Sequence, residues 1–279
     1  MKLIGFMCCV NAEEFIEYSI RSTIEHLDKL IIIEGGWKEY YEVCGNKRST
    51  DKTIEIIKKL QHEFIDKIDL YFHNEKNQLI QRSQYFKYAP IEEHWMLLQD
   101  ADEIYPPKSI DRIRRFVNGE YFNPIQSIFC DVLKFKSLVF INDFYHVSEV
   151  IYPRLFKVRG GLEKLDNGEE KLSHWFLDPN KIGSLRAGGH YLQIGNENPE
   201  VSDITYWEYP EIEFFHYSYC HSFQRFMEKK KERTKAHGWF AWNINEKGLV
   251  VRSDANIKEY TGKHPMLMES HPKYGIRLS

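Results

Sequence analysis

The chain has 279 residues, of which 42% are hydrophobic and 28% are charged, so it is long enough to bury a core without disulfides. A formal net charge of -3 gives no electrostatic reason to expect nucleic acid as a partner. Five cysteines without a Cys-x-x-Cys pair indicate neither a zinc ribbon nor a disulfide framework. No segment reaches the length of a membrane span and no cleavable leader is evident, so we expect a cytoplasmic protein.

The first third of the chain alternates between short apolar runs and amphipathic stretches. The apolar runs predict buried strands over 2–10, 29–33, 68–72 and 95–99. Helices are predicted over 13–25, from Ser49-Thr50-Asp51 onward, and over 79–88. Strands that alternate with helices in this way are typical of a parallel sheet covered by helices.

The second half carries a different pattern. A helix is predicted over 106–118 and a basic helix over 222–237. Aromatic and β-branched runs predict mixed or antiparallel strands over 127–133, 138–141, 151–158 and 212–219. We therefore expect one compact domain with a C-terminal extension.

The sharpest pattern is an apolar strand that ends at two aspartates, Asp100 and Asp102. Residues two apart on an extended chain project to the same side, so both carboxylates are expected to converge while Ala101 faces away. Two close carboxylates repel each other, and a hard divalent cation such as Mg²⁺ or Mn²⁺ relieves the repulsion. The alternative is a solvated turn that caps the next helix.

Four short motifs occur in the order seen in family 2 glycosyltransferases of GT-A fold, namely Asn11-Ala12-Glu13-Glu14, Glu34-Gly35-Gly36, Ser49-Thr50-Asp51-Lys52-Thr53 and Asp100-Ala101-Asp102-Glu103. Over about residues 1–105 the chain resembles that family. The resemblance implies an α/β, GT-A-like, Rossmann-type fold with a mixed, mainly parallel sheet covered by helices. It implies metal-assisted, inverting transfer of a sugar from a nucleotide-diphosphate sugar to a glycan or other hydroxyl acceptor.

The same resemblance divides the chain into functional parts. A catalytic domain is expected over 1–220, with a nucleotide-binding half at 1–105 and an acceptor half at 106–220. Residues 221–279 would form a helical extension packed on it. The residues implied to bind the nucleotide or its diphosphate are Asn11, Glu34, Asp51, Arg82 and Asp100.

Glu34 stands where the family often has an aspartate that meets the nucleotide base. A carboxylate there accepts the imide N–H of uracil, which favours UDP without excluding a guanine nucleotide. The alternative is that Glu34 caps a glycine-rich turn, and for Asp51 a helix-capping role is the favoured interpretation. About a dozen extra residues separate Gly36 from Ser49, where the family's motif is nearly continuous.

Arg82, and less clearly Lys87, are candidates to face the diphosphate, because family members often place a basic residue in this helix. The alternative is a solvated position, which is favoured slightly for Lys87.

The resemblance also implies a catalytic base and a third metal ligand. The base would be a carboxylate after the strand that ends near residue 158, with Glu170 ranked first and Asp166 second. His216, within an aromatic run, matches the C-terminal histidine that completes the metal site in some GT-A enzymes. A histidine in such a run is more often a satisfied core residue.

Other readings stay open at this point. The basic helix at 222–237 would meet phosphate groups or an anionic membrane surface, or would present a solvated face. A sugar-nucleotide pyrophosphorylase also sets aspartates over a nucleotide, but its glycine-rich N-terminal loop is not found here. A non-catalytic carbohydrate-binding scaffold is the third alternative.

Overall fold

The computed structural model describes residues 1–120, 132–158, 160–164, 170–174, 185–187, 190–192, 206–237, 242–246, 249–251 and 256–277. In the first third, four strands alternate with five helices: β1 Lys2–Cys9, α1 Ile16–Thr23, β2 Lys29–Glu34, α2 Lys38–Cys44, α3 Thr53–Glu63, β3 Ile68–Phe72, α4 Gln78–Ser83, α5 Tyr85–Tyr88 and β4 His94–Leu98. This alternation is the one predicted from the apolar runs, with α2 as an addition.

The remaining elements are mostly strands. They are β5 Glu103–Ile104, α6 Pro107–Val117, β6 Val132–Ile141, β7 His146–Val158, β8 Gly160–Lys164, β9 Glu170–His174, β10 Leu185–Ala187, β11 His190–Leu192, β12 Tyr206–Tyr219, α7 Phe223–His237, β13 Asn243–Ile244, β14 Val250–Val251, β15 Lys258–Glu259 and a 3₁₀ helix Met266–Ser270.

Three predicted elements differ from the structure. The stretch after Gly36, where no helix was predicted, contains helix α2, which ends at Gly45 in a left-handed conformation that glycine favours (φ 81). The helix predicted over 79–88 is two short helices that meet at Gln84. The strand predicted over 138–141 is the second half of β6, while residues 121–131 lie outside the described part of the chain.

The main sheet has the strand order β3-β2-β1-β4-β7-β6-β12-β5, and β15 pairs with β7. Strands β1 to β4 are parallel, β7 runs antiparallel to both β4 and β6, and β12 is parallel to β6. Six strands therefore point the same way, and their carboxyl ends share one edge. The predicted α/β fold class is confirmed.

Strands β1 and β2 are buried on both faces, as their continuous apolar sequences predict. On one face, Leu3 and Leu30 belong to a core cluster that includes residues of α1, α3 and α6. On the other face, Ile4 and Ile31 pack in a second cluster with Tyr85 of α5. Helices thus cover both faces of this half-sheet and leave its carboxyl edge open for polar side chains.

Candidate active site

A cleft opens at the carboxyl ends of β1, β4 and β12. In α/β sheets this edge is where ligands bind, because the strand ends present polar residues there. Its polar and charged lining residues are Asn11, Gln78, Arg82, Asp100, Asp102, His216, Ser218, His221, Arg225, Lys229, Glu232 and Arg233. Five residues predicted from the sequence as site residues are therefore brought together here: Asn11, Arg82, Asp100, Asp102 and His216.

The acidic residues after β4 lie in a turn rather than an extended chain. The Glu103 N–H donates to the Asp100 carbonyl at 3.0 Å, and the Ser19 hydroxyl of α1 donates to the same carbonyl at 3.1 Å. The buried Gln99 amide donates to the Ser19 and Glu103 carbonyls and fixes both ends of the turn. Ala101 is among the residues that border the cleft, and it also packs against the core cluster that contains Leu3.

Asp100 lies between two arginines. Arg82 Nη2 is 2.6 Å from Asp100 Oδ1, and Arg154 Nη2 is 3.4 Å from Asp100 Oδ2. Arg154 is fully buried and also pairs with Glu103, whose Oε1 lies 2.5 Å from Nη2. Burial raises the pKa of Glu103, although the Arg154 guanidinium opposes that rise. Arg154 was not predicted as a site residue; it is buried in strand β7 between Pro153 and Leu155.

Asp102 has a separate set of partners, which come from β12 and the residues that follow it. His216 Nε2 lies 3.3 Å from Asp102 Oδ1, while His221 Nε2 and Lys229 Nζ lie 3.1 and 3.8 Å from Oδ2. Burial alone would raise the pKa of Asp102, but His216 and Lys229 hold that pKa well below its usual range. The carboxylate is therefore ionised at neutral pH.

The position of His216 follows from strand pairing. In the antiparallel β5–β12 ladder, His216 is the direct partner of Glu103, and the Tyr217 N–H donates to the Asp102 carbonyl at 2.9 Å. Residues opposite each other in such a ladder hold their side chains on the same face of the sheet. The ladder therefore places His216 beside the acidic turn.

The acidic side chains near the turn, together with His216, have the donor set of a divalent-cation site. Asp100, Glu103 and His216 form such a group among the described residues, because one ligand atom from each lies within 4.8 Å of the others. This group contains Glu103 in place of Asp102, the second aspartate predicted to bind the metal. These residues fit such a cation, although Glu103 is already paired with Arg154.

Two sequence motifs hold each other in place. The Asn11 and Ala12 N–H groups donate to the hydroxyls of Ser49 and Thr53, at 2.8 and 2.7 Å. Asp51 accepts from Thr53 N–H at 3.0 Å and from Glu13 N–H at 3.1 Å. Asp51 thus supports the start of α3, as its favoured interpretation predicted, and is not among the residues that line the cleft.

Glu34, at the end of β2, is buried outside the lining of the cleft. Its Oε1 accepts from the Ser49 N–H at 2.8 Å, and its Oε2 has no hydrogen-bond partner among the described residues. Burial raises the pKa of Glu34, although the hydrogen bonds from Ser49 oppose the rise. Next to it, Gly35 has φ +135, and a Cβ there would collide with the His73 carbonyl.

The extra residues between Gly36 and Ser49 form a wall of the cleft. Trp37, just before α2, donates from Nε1 to Glu232 of α7 at 3.1 Å, and Tyr40 of α2 accepts from the Asn11 amide at 2.7 Å. Tyr40 also lies beneath the Arg225 guanidinium, 5.7 Å from ring centroid to Cζ. The insertion therefore joins α7 to the loop after β1.

The side chains of the two predicted catalytic bases are outside the described part of the structure. Glu170 begins strand β9, for which the structure describes the backbone, and Asp166 lies outside the described residues. Their assignment therefore stays a prediction.

The fold and the cleft define a class of protein: a GT-A-like α/β protein with an acidic turn and cationic side chains at the carboxyl edge of its sheet. Residues 6–134 match the family model described as Glycosyl transferase family 2. This segment belongs to that family, and the resemblance seen in the four motifs is confirmed. No curated protein matches the chain.

Solved structures show weaker likeness. The structure of S. aureus TarS is similar at 18% identity with a TM-score of 0.36, over 50% of this chain and 36% of that one. The S. aureus TarS complex with UDP-GlcNAc gives 19% identity and a TM-score of 0.36, over 50% of this chain and 35% of that one. The inositol-1-phosphate CTP transferase of T. maritima gives 7% identity and a TM-score of 0.37, over 86% and 98% of the two chains. This chain thus spans about a third of the TarS chains that it matches.

Across the part of the chain that the structure describes, no helix has both the length and the apolar character needed to cross a membrane.

Proposed function

We propose that this chain is a glycosyltransferase that transfers a sugar from a nucleotide-diphosphate sugar, with UDP favoured, to a hydroxyl acceptor. The observation that carries the proposal is the convergence of Asp100, Asp102, His216 and Arg82 on one cleft at the carboxyl edge of the sheet. That cleft lies in a chain whose residues 6–134 belong to glycosyl transferase family 2. The acceptor is a glycan or another hydroxyl compound.

The cleft supplies the charges that the reaction needs. When the bond between the anomeric carbon and the diphosphate oxygen breaks, negative charge grows on the leaving diphosphate. Asp100, Asp102 and His216 would hold Mn²⁺ or Mg²⁺, which when bound offsets that charge as a Lewis acid. Arg82, anchored by Asp100, presents its guanidinium to the same oxygens.

The nucleotide would extend from the cleft toward the paired motifs. Asn11 lines the cleft and is held by Ser49 and Tyr40. We propose that Glu34, whose Oε2 has no hydrogen-bond partner among the described residues and lies 3.9 Å from Arg48 Nη1, accepts the imide N–H of the base, and that Asp51 fixes the loop beside it. Inversion requires one carboxylate to take the proton of the acceptor hydroxyl as its oxygen attacks the anomeric carbon. Glu170 is the first candidate for this base and Asp166 the second.

The test is a panel of UDP- and GDP-sugars, including UDP-GlcNAc, assayed for release of nucleoside diphosphate with Mn²⁺, Mg²⁺ or EDTA. We expect turnover with a UDP-sugar, stimulation by the metal, and loss of turnover in Asp102→Ala. Asp111→Ala is the matched control, because Asp111 is an exposed residue on α6, away from the cleft.

Two outcomes would replace the proposal. Release of pyrophosphate from UTP and a sugar phosphate, without transfer from a UDP-sugar, would make the chain a sugar-nucleotide pyrophosphorylase. Calorimetry that finds no metal-dependent binding of UDP would favour a non-catalytic scaffold. Full activity in Asp102→Ala would refute the metal-binding role of that residue.

A further inference from the structure

Helix α7 carries a row of positively charged side chains that line the cleft. Arg225, Lys229 and Arg233 are spaced four residues apart, which places them one above the other on the same helical face. All three line the cleft, and their side chains are 20%, 21% and 13% exposed. Like charges at this spacing destabilise a helix, so the row has an energetic cost for the fold of the protein on its own.

The three side chains are held in place by neighbours. Arg225 Nη2 donates to the Val10 carbonyl at 2.7 Å, at the end of β1. Lys229 Nζ donates to the Ser218 hydroxyl at 2.5 Å and lies 3.8 Å from Asp102. Arg233 Nε lies 3.4 Å from Glu232. Cations that are already oriented lose little conformational entropy when they bind an anion.

Arg82 of α4, which also lines the cleft, has unmet hydrogen-bond donors. Arg82 is 2% exposed, and its Nη2 pairs with Asp100. Its Nε and Nη1 have no hydrogen-bond partner among the described residues. Buried guanidinium donors without partners are costly, and an anionic ligand in the cleft would satisfy them.

The charges of the cleft indicate which kind of ligand fits. Four cationic side chains line the cleft. The carboxylates that line it belong to Asp100, Asp102 and Glu232, and each already lies within 4 Å of an arginine, lysine or histidine, or accepts a hydrogen bond. The cations come from two separate elements, Arg82 from α4 and the other three from α7. A diphosphate carries oxygens on two linked phosphates and is the anion that suits cations supplied by two elements.

We propose that Arg225, Lys229 and Arg233 of α7 form the second half of a diphosphate clamp, of which Arg82 is the first half. The inference rests on the proposed nucleotide-sugar function and deepens it. Helix α7 lies outside the family-matched segment 6–134, so this half of the clamp comes from the other half of the chain. The clamp binds phosphate oxygens through fixed side-chain cations, and part of the diphosphate affinity is therefore independent of any metal.

The experiment measures binding of inorganic pyrophosphate, UDP and uridine in EDTA by calorimetry. Lys229→Met and Arg233→Met should each weaken pyrophosphate and UDP roughly tenfold or more, the usual effect of losing one charge-assisted contact, and leave uridine unchanged. Lys231→Met is the matched control, because Lys231 is exposed on the same helix and should change neither affinity. Lys229→Arg, which keeps the charge, should retain most of the affinity.

The Arg233→Met variant keeps the inference testable if the Lys229→Met variant misfolds. Circular dichroism of each protein checks its fold. The inference is overturned if folded wild-type protein binds neither pyrophosphate nor UDP in EDTA, or if both charge-removing variants bind them as the wild type does. Failure of the proposed function looks different. In that case no UDP- or GDP-sugar is turned over with Mn²⁺, while pyrophosphate binding still depends on Lys229 and Arg233.

Discussion

Asp100 and Asp102 are two positions apart, yet each has its own set of basic partners. Asp100 is flanked by Arg82 and Arg154, and Asp102 by two histidines and Lys229. Buried carboxylates stay ionised only when such partners offset the loss of hydration. At the scale of single residues, the site is therefore an arrangement of opposite charges that is stable before any ligand arrives.

The buried Arg154–Glu103 pair supports this arrangement, and its loss should destabilise the fold. Glu103→Gln would leave a fully buried guanidinium without its main counter-charge, so we expect the free energy of unfolding to fall by about 3–5 kcal/mol. Urea unfolding followed by circular dichroism measures the change. The control is Glu149→Gln, whose pair with Lys258 is exposed and should contribute less than about 1 kcal/mol. A loss below about 1 kcal/mol in Glu103→Gln would show that Arg154 does not depend on that carboxylate.

At the scale of elements, the loop after β1 and the loop before α3 act as one unit. Five hydrogen bonds join residues 11–13 to residues 49–53. The residues that the resemblance assigns to nucleotide binding in these two motifs thus also pair locally with residues of the other motif. The paired loops fix Asn11, which has φ 47, at the border of the cleft.

Thr53→Val tests the pairing of these loops. The Thr53 hydroxyl is buried and accepts from the Ala12 N–H, so valine of similar shape leaves that donor unsatisfied. We expect the free energy of unfolding to fall by about 1–3 kcal/mol in a denaturant titration. Thr50→Val is the matched control. Its side chain is exposed and only its backbone N–H takes part, so the change should stay within about 0.5 kcal/mol.

The sequence predicted the parallel half-sheet because its strands have apolar residues on both faces, which produces continuous runs such as 30–33. It predicted the acidic turn because the change from Leu98 to Asp100 is abrupt. Helix α2 was not predicted, since its seven residues carry no clear helical period. The partners of Trp37 and Glu42, which are Glu232 and Lys235, are nearly 200 positions away in the sequence. Sequence analysis also missed Arg154 and His221, whose roles depend on pairing between distant strands. Such contacts leave no local signal.

At the scale of the whole molecule, Glu14 joins three distant segments. Its carboxylate accepts from the Ser222 N–H before α7 at 3.0 Å and from Lys273 Nζ at 3.0 Å, and the His271 ring lies 2.9 Å from its carbonyl. The loop after β1, the start of α7 and the C-terminal segment are thus held together at one residue. The orientation of the cationic face of α7 depends on this junction.

The junction should depend on pH through Glu14. Burial alone would raise the pKa of Glu14, but His221 and the bonds from Lys273 and Ser222 lower it below the usual 4.5. A lowered pKa means that the ionised carboxylate stabilises the fold above about pH 4.5, and that this contribution is lost as the pH falls through the lower, folded value. Glu14→Gln should therefore be less stable than the wild type by about 1–3 kcal/mol at pH 7.

Urea titrations of both proteins between pH 7 and about pH 3 measure this dependence, and the gap between them should narrow as the pH falls. Glu13→Gln is the control, because the exposed Glu13 side chain bonds the neighbouring loop rather than α7. A gap between wild type and Glu14→Gln that stays constant with pH would contradict the role of the Glu14 charge.

Strand β5, which directly follows the acidic turn, has β12 as its partner in the main sheet. During synthesis on the ribosome, the turn is complete after about a hundred residues, but its neighbour emerges more than a hundred residues later. A nascent chain that has reached residue 134 would display both aspartates without the histidines and the lysine that contact Asp102 in the folded protein. The cleft can therefore be complete only when translation has passed α7, which places its assembly among the last events in folding.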